Sequence, residues 1–158
     1  MREKKKDNIP WWAMKYPFAS DEKKPALIKT EDEIYSIYGF GPNKINVRLS
    51  CSTDKILTSI WIVPPGQCFE PADIHSGDEP YYILKGVATI INPETGQVIE
   101  AKAGDAVLIP AQCWHQTYNF TDEDMELIVF IEGKPWDTKD MELVESLTLK
   151  QIYYKGES

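Results

Sequence analysis

From residue 45 onward, apolar and polar positions alternate with a period of two, in short runs broken by Gly, Pro, Asn and Asp. INVRLS and ILTSIWIV are rich in β-branched and aromatic residues and are separated by the turn-forming STDK, so both read as strands. In the second run, alternation places Leu57, Ser59, Trp61 and Val63 on one face and Ile56, Thr58, Ile60 and Ile62 on the other. Both faces are largely apolar, as expected where one face meets a second sheet and the other meets a partner or a covering segment. YYILKG and VATIIN read as a hairpin about Lys85 and Gly86, and NPETG reads as a turn. QVIEAKAG, AVLIPA, HQTYN and MELIVFIEG continue the series at short, even spacing. This rhythm predicts an all-β sandwich or barrel.

The flanks have a different texture. Residues 1–8 are charged and poor in apolar side chains, whereas IPWWAMKYPF carries Trp11, Trp12, Tyr16 and Phe18 between prolines that forbid a long helix. Such an aromatic arm has to bury against its own barrel or a second subunit, and enrichment of aromatics at interfaces favours the subunit contact. TEDEIYSIYGF predicts a short helix, with Thr30 as N-cap and Glu33 as its capping-box partner. After Lys134, TKDMELVESLTLKQIYY predicts a short helix with a tail returning to the barrel or to a neighbour.

Composition narrows the class. A chain of 158 residues, 42% hydrophobic and 27% charged, is ordinary globular material for one domain: a barrel core over about 45–132, an arm over 9–44 and an extension over 133–158. A net charge of −8 argues against nucleic-acid and anionic-membrane surfaces, which need concentrated Lys and Arg. No apolar run approaches the ~20 residues of a membrane span, and no apolar stretch follows the basic start as in a signal peptide, so the expected location is cytoplasmic. Cys51, Cys68 and Cys113 are odd in number and lack CxxC spacing, which predicts reduced thiols.

The candidate chemistry lies in two stretches about thirty residues apart. Gly66 to Gly86 gathers His75 with Asp73, Asp78 and Glu79 just before a strand, and Ala103 to Asn119 holds the only other histidine, His115, again at a loop-to-strand junction. Alternation sets Glu79, Tyr81 and Ile83 on one strand face, and His115, Thr117 and Asn119 on one face of another. If the two strands face each other across a small barrel, a carboxylate and an imidazole converge, ligands that suit Zn, Mn and Fe.

The two stretches resemble the two halves of the cupin signature. Gly66 opens the first half, in which His75, Glu79 and Gly86 keep the family's spacing, and Gly104, Pro110, His115 and Asn119 keep the second, with Gln112 standing where the family has glycine. In that register Asp73 takes the place of the family's first histidine; the other register makes His75 the first histidine and leaves Gly77 in the second place. Only the former keeps both the histidine-to-glutamate and the glutamate-to-glycine spacings. The resemblance covers roughly residues 45 to 132. It implies a double-stranded β-helix, a homodimer, and a divalent metal ion (Mn, Fe or Zn, with Ni or Co as further candidates) held by Asp73, His75, Glu79 and His115. An Asp before a turn also commonly serves the backbone, so Asp73 has a second reading.

Two carboxylates would cancel the charge of a divalent ion and weaken its pull on a bound water compared with a three-histidine site. That favours isomerase or lyase chemistry on a small oxygen-rich molecule (a sugar, hydroxy acid or keto acid) over a potent metal hydroxide. Glu79 and Tyr81 are the candidates for proton transfer, and Trp61, Tyr81 and Phe130 for substrate contact. A non-haem iron dioxygenase and a non-catalytic small-molecule sensor are the alternatives, although no helix-turn-helix signal accompanies the barrel.

Overall fold

A computed structural model of the chain describes residues 23–39, 43–53, 55–69, 72–132 and 154–155. The aromatic arm and the helix expected after Lys134 lie outside the described residues. Among the described residues, ten strands follow one another: β1 (Ile34–Tyr38), β2 (Ile45–Ser52), β3 (Ile56–Val63), β4 (Glu79–Lys85), β5 (Val87–Ile91), β6 (Val98–Lys102), β7 (Ala106–Ile109), β8 (Gln116–Tyr118), β9 (Met125–Glu132) and β10 (Tyr154–Lys155). They form a seven-stranded sheet in the order β10-β1-β2-β3-β9-β4-β7 and a three-stranded sheet in the order β6-β5-β8. Every pairing is antiparallel. The two sheets close on one core as a jelly roll, the double-stranded β-helix. Among the described residues, no helix is long and apolar enough to cross a membrane.

The period-two pattern sorts the side chains as the sequence predicts. On β3, Leu57, Ser59, Trp61 and Val63 are buried, while Ile56, Thr58, Ile60 and Ile62 are half-buried or exposed. Val47 and Leu49 of β2, Tyr81 and Ile83 of β4, and Leu127, Val129 and Ile131 of β9 extend the same inner face, met by Ala88 and Ile90 of β5.

Two expectations are corrected. The helix predicted from Thr30 is a single 3₁₀ turn, Thr30–Asp32, followed directly by β1, whose five residues pair in unbroken register with β2 from Ile34↔Leu49 to Tyr38↔Ile45. Glu33, expected to close a capping box on Thr30, sends its carboxylate across to β2 instead, accepting from Ser50 Oγ at 2.8 Å and lying 3.1 Å from Arg48 Nε. A β-branched and aromatic segment beside an open sheet edge gains more by pairing than by helix. The predicted hairpin about Lys85 and Gly86 is a corner: β4 pairs with β7 and β9 in the large sheet, and β5 pairs with β6 and β8 in the small one. Gly86 alone separates the strands, too short for a hairpin loop, and it takes φ +75° with Met125 Cα 3.2 Å from where a Cβ would sit.

Asn119 ties the end of β8 to the large sheet. Its fully buried amide donates to the carbonyls of Val63 (2.8 Å) and Glu123 (2.7 Å), and its Oδ1 accepts from Thr121 N (3.0 Å) and Thr121 Oγ1 (2.7 Å). Asn119→Ala is expected to cost about 1–3 kcal/mol, chiefly by leaving the buried Val63 carbonyl unsatisfied. Urea unfolding measures it, with Thr121→Val as a control that keeps both carbonyl bonds and costs markedly less.

Candidate metal centre

The loop after β7 and the loop before β4 are laced together by backbone. Asp73 and His115 form an antiparallel bridge in which Asp73 N donates to His115 O (2.7 Å) and His115 N donates to Asp73 O (3.0 Å). Directly opposed residues project to one side, and His75, two residues on from Asp73, shares that side. Ala111 N donates to Asp78 Oδ1 (2.9 Å) and Gln112 N to the carbonyl of His75 (2.8 Å), so Asp78 is a brace between the loops. Glu79 opens β4 opposite Ile109 of β7.

Asp73, His75, Glu79 and His115 are all buried, each 2% exposed or less. Asp73, His75 and His115 each present a ligand atom within 4.8 Å of the other two, a group able to hold a metal ion. Glu79 Oε2 lies 2.8 Å from His115 Nε2 and 3.1 Å from His75 Nε2, and Asp73 Oδ2 lies 3.4 Å from His75 Nε2. Asp73 is placed for both readings: Oδ1 accepts from the backbone N–H of Ile74 (2.9 Å), while Oδ2 faces the His75 imidazole at 3.4 Å.

These residues fit a divalent ion. Glu79 Oε1 is buried without a hydrogen-bond partner, and Glu79 Oε2 is faced only by the two imidazoles, a costly state unless something else satisfies these atoms. Donor atoms that would share an ion at about 2.1 Å must lie within about 4 Å of one another, and the carboxylate and imidazole atoms here are 2.8 to 3.4 Å apart. His115 Nδ1, 3.0 Å from the carbonyl of Cys113, donates to it and thereby turns Nε2 to the centre.

The electrostatics follow from the same packing. Burial alone would raise the Glu79 pKa, but the neighbouring His75 and then His115 outweigh it and hold the carboxyl at about 2. Burial would lower the His115 pKa, yet the charge of Glu79 carries it above its ordinary value. For Tyr81, burial and the Glu79 charge act together and push the phenol well above its ordinary value, so it stays protonated.

The strands around this centre match a known pattern over much of their length. Residues 59–131 fit the family model of the cupin domain. This barrel has the cupin fold. Among curated proteins, none matches it significantly in sequence. Solved structures share the cupin fold. A predicted oxalate decarboxylase from Thermotoga maritima matches with TM-score 0.59 at 18% identity, over 68% of this chain and 99% of that one. A sugar phosphate isomerase from Silicibacter pomeroyi matches with TM-score 0.58 at 15% identity, over 70% and 77%. A polyketide cyclase from Streptomyces resistomycificus matches with TM-score 0.57 at 15% identity, over 74% and 89%.

The other sequence-derived candidates part company here. Tyr81 is buried beside the centre, its ring edge-on to His115 at 6.3 Å and its hydroxyl 3.4 Å from Thr117 Oγ1. Trp61 lies on the inner face but one row deeper, stacked on Phe69 at 4.3 Å with its Nε1 donating to Ser59 Oγ (2.9 Å). Its polar edge is thus committed to the core. Phe130 is not brought to the group at all. It pairs with Thr58 and lies on the half-buried outer face, because Val129 and Ile131 take the inward positions of β9. Phe69, which shapes the cupin interior through its stack on Trp61, carries no local signal in the sequence.

Gln112 explains the departure from the glycine pattern. It adopts φ +62°, the left-handed conformation that favours glycine. Its side-chain Nε2 donates to the His75 carbonyl (3.1 Å) alongside its own backbone N–H, which offsets part of that strain. Gln112→Gly is expected to change stability by less than about 1 kcal/mol, whereas Gln112→Ala, keeping the strain and losing the bond, costs about 1 kcal/mol. Thermal unfolding of the pair checks the order.

Proposed function

We propose that this cupin is a metal-dependent enzyme acting on a small molecule that offers adjacent oxygens, by isomerisation or lyase chemistry. The observation that carries the reading is the convergence of the chain's two histidines with two buried carboxylates inside the barrel. Asp73, His75, Glu79 and His115 are the residues that would hold the ion. When bound, a divalent ion anchors such oxygens and supplies positive charge where negative charge develops. Mn, Fe and Zn suit this donor set.

The chain's own residues do the rest. Glu79, held ionised, and Asp73 temper the charge of the centre. Tyr81, held protonated with Thr117 fixing its hydroxyl, is the group placed to hand over or take back a proton. Relatives of the same fold described as an isomerase and a cyclase support non-redox chemistry on this barrel. Dioxygenation ranks below it, because a second carboxylate departs from two imidazoles and one carboxylate, the pattern of non-haem iron oxygenases.

Incubation of the metal-loaded protein with hydroxy and keto acids in D₂O, followed by NMR, tests the proposal. Deuterium is expected beside the substrate carbonyl or hydroxyl, falling by roughly 10²-fold or more in Tyr81→Phe with metal content unchanged. Oxygen uptake with Fe(II) and no deuterium incorporation would contradict it.

A further inference from the structure

A cleft of about 270 Å³ opens where the edge strand β7 faces β5 and β6, and His115 forms part of its lining. Its walls are apolar: Ile90 and Ile99 on one side, Val107 and Ile109 on the other, with Trp114 at the loop. Among the described residues lining it there is no Lys, Arg, Asp or Glu. The amide of Asn92 is engaged within the protein, since Oδ1 accepts from Glu94 N (2.9 Å) and Thr95 N (3.1 Å) while Nδ2 donates to Cys113 Sγ (3.4 Å).

A charged substrate body such as a phosphate would lose its hydration here and gain no counter-charge. An apolar body gains from these walls. For scale, a dry cavity of about 150 Å³ lined by Leu, Ile and Phe holds benzene. His115 belongs to both regions, its Nε2 among the ligand atoms and the residue itself among those lining the cleft.

We propose that this cleft receives the body of the substrate, and that the body is an uncharged, largely apolar group of one or two rings carried by a hydroxy or keto acid. The inference rests on the metal-dependent reading above and narrows it away from sugars and sugar phosphates. The acid's adjacent oxygens sit at the buried ligand residues, and its ring lies between β6 and β7.

The test uses the full chain loaded with Co(II), whose visible spectrum reports ligand binding. Its probes are three hydroxamates that share one chelating head: acetohydroxamate, benzohydroxamate and gluconohydroxamate. Benzohydroxamate is expected to bind roughly tenfold or more tightly than acetohydroxamate, from the apolar area its ring buries. The half-buried Ile99→Asn removes that excess and leaves the acetohydroxamate affinity and cobalt content unchanged. Leu108→Asn, at an exposed position on the rim, reduces the excess and covers the case in which Ile99→Asn does not fold. Equal affinities, or tightest binding of gluconohydroxamate, would overturn the inference while leaving the metal centre standing. If cobalt is not taken up, the metal-dependent reading fails. The cleft is then judged alone by saturation-transfer NMR with p-cresol, where a signal lost in Ile99→Asn supports an apolar pocket and no signal refutes it.

Discussion

His115→Ala is expected to abolish stable divalent-ion binding and to lower the stability of the metal-free chain by about 3 kcal/mol or more. Nε2 of His115 lies 2.8 Å from a Glu79 carboxylate that is fully buried, so removing the imidazole strands a charge in the barrel interior with one cationic neighbour fewer. The backbone bridge between Asp73 and His115 survives the change, so the loops keep their places and the loss reports on the side chain. Calorimetric titration with Mn(II) and Zn(II), together with urea unfolding of the metal-free protein, measures both effects. Affinity within tenfold of the wild type would show that His115 is not a ligand.

The metal-free protein is expected to have a stability maximum on the mildly acidic side of neutrality, with the two flanks set by different residues. Glu79 has a pKa depressed from 4.5 to about 2. Its contribution is therefore full above the unfolded value and is lost as pH falls through the folded one. A shift of that size corresponds to about 3 kcal/mol. His115 has a raised pKa, so its contribution is present below its ordinary value and is lost as pH rises through the folded one. A bound ion requires the neutral imidazole, so protons compete with it, and the melting-temperature increase on adding Zn(II) should grow from pH 5 to pH 8. Scans with and without chelator check this. Glu79→Gln should flatten the acid flank; an unchanged acid flank in that variant would remove Glu79 from the account.

Much of the barrel is legible in the chain because a half-buried strand writes its exposure into alternate residues, as Leu57 to Val63 do. The site is legible for a related reason. His75 lies just before the strand that Glu79 opens and His115 just before another, and the Asp73–His115 bridge brings the two stretches together. What escaped is non-local. Gly86 between two apolar runs looks the same whether the chain turns back on itself or crosses to the other sheet, and only the pairing of β4 with β9 decides. The segment from Thr30 carries a real helix-start pattern, but Glu33 finds Arg48 and Ser50 on β2, partners that sequence proximity does not reveal. Phe130 and Trp61 show the limit of aromatic character as a guide. One strand position decides that Phe130 faces out, and a hydrogen bond to Ser59 decides that Trp61 belongs to the core. The cleft beside His115 arises where edge strands of two sheets fail to meet, a property of closure that no single strand carries.

The central claim is that Asp73, His75, Glu79 and His115 together hold one divalent ion inside the cupin barrel. Elemental analysis of protein purified without chelators, and again after exposure to Mn, Fe, Co, Ni and Zn in turn, tests it most directly. The account predicts one equivalent of ion per chain in the wild type and essentially none when His75 and His115 are both replaced by alanine. A folded wild-type chain that retains none of these ions, or a double variant that retains as much as the wild type, would contradict it.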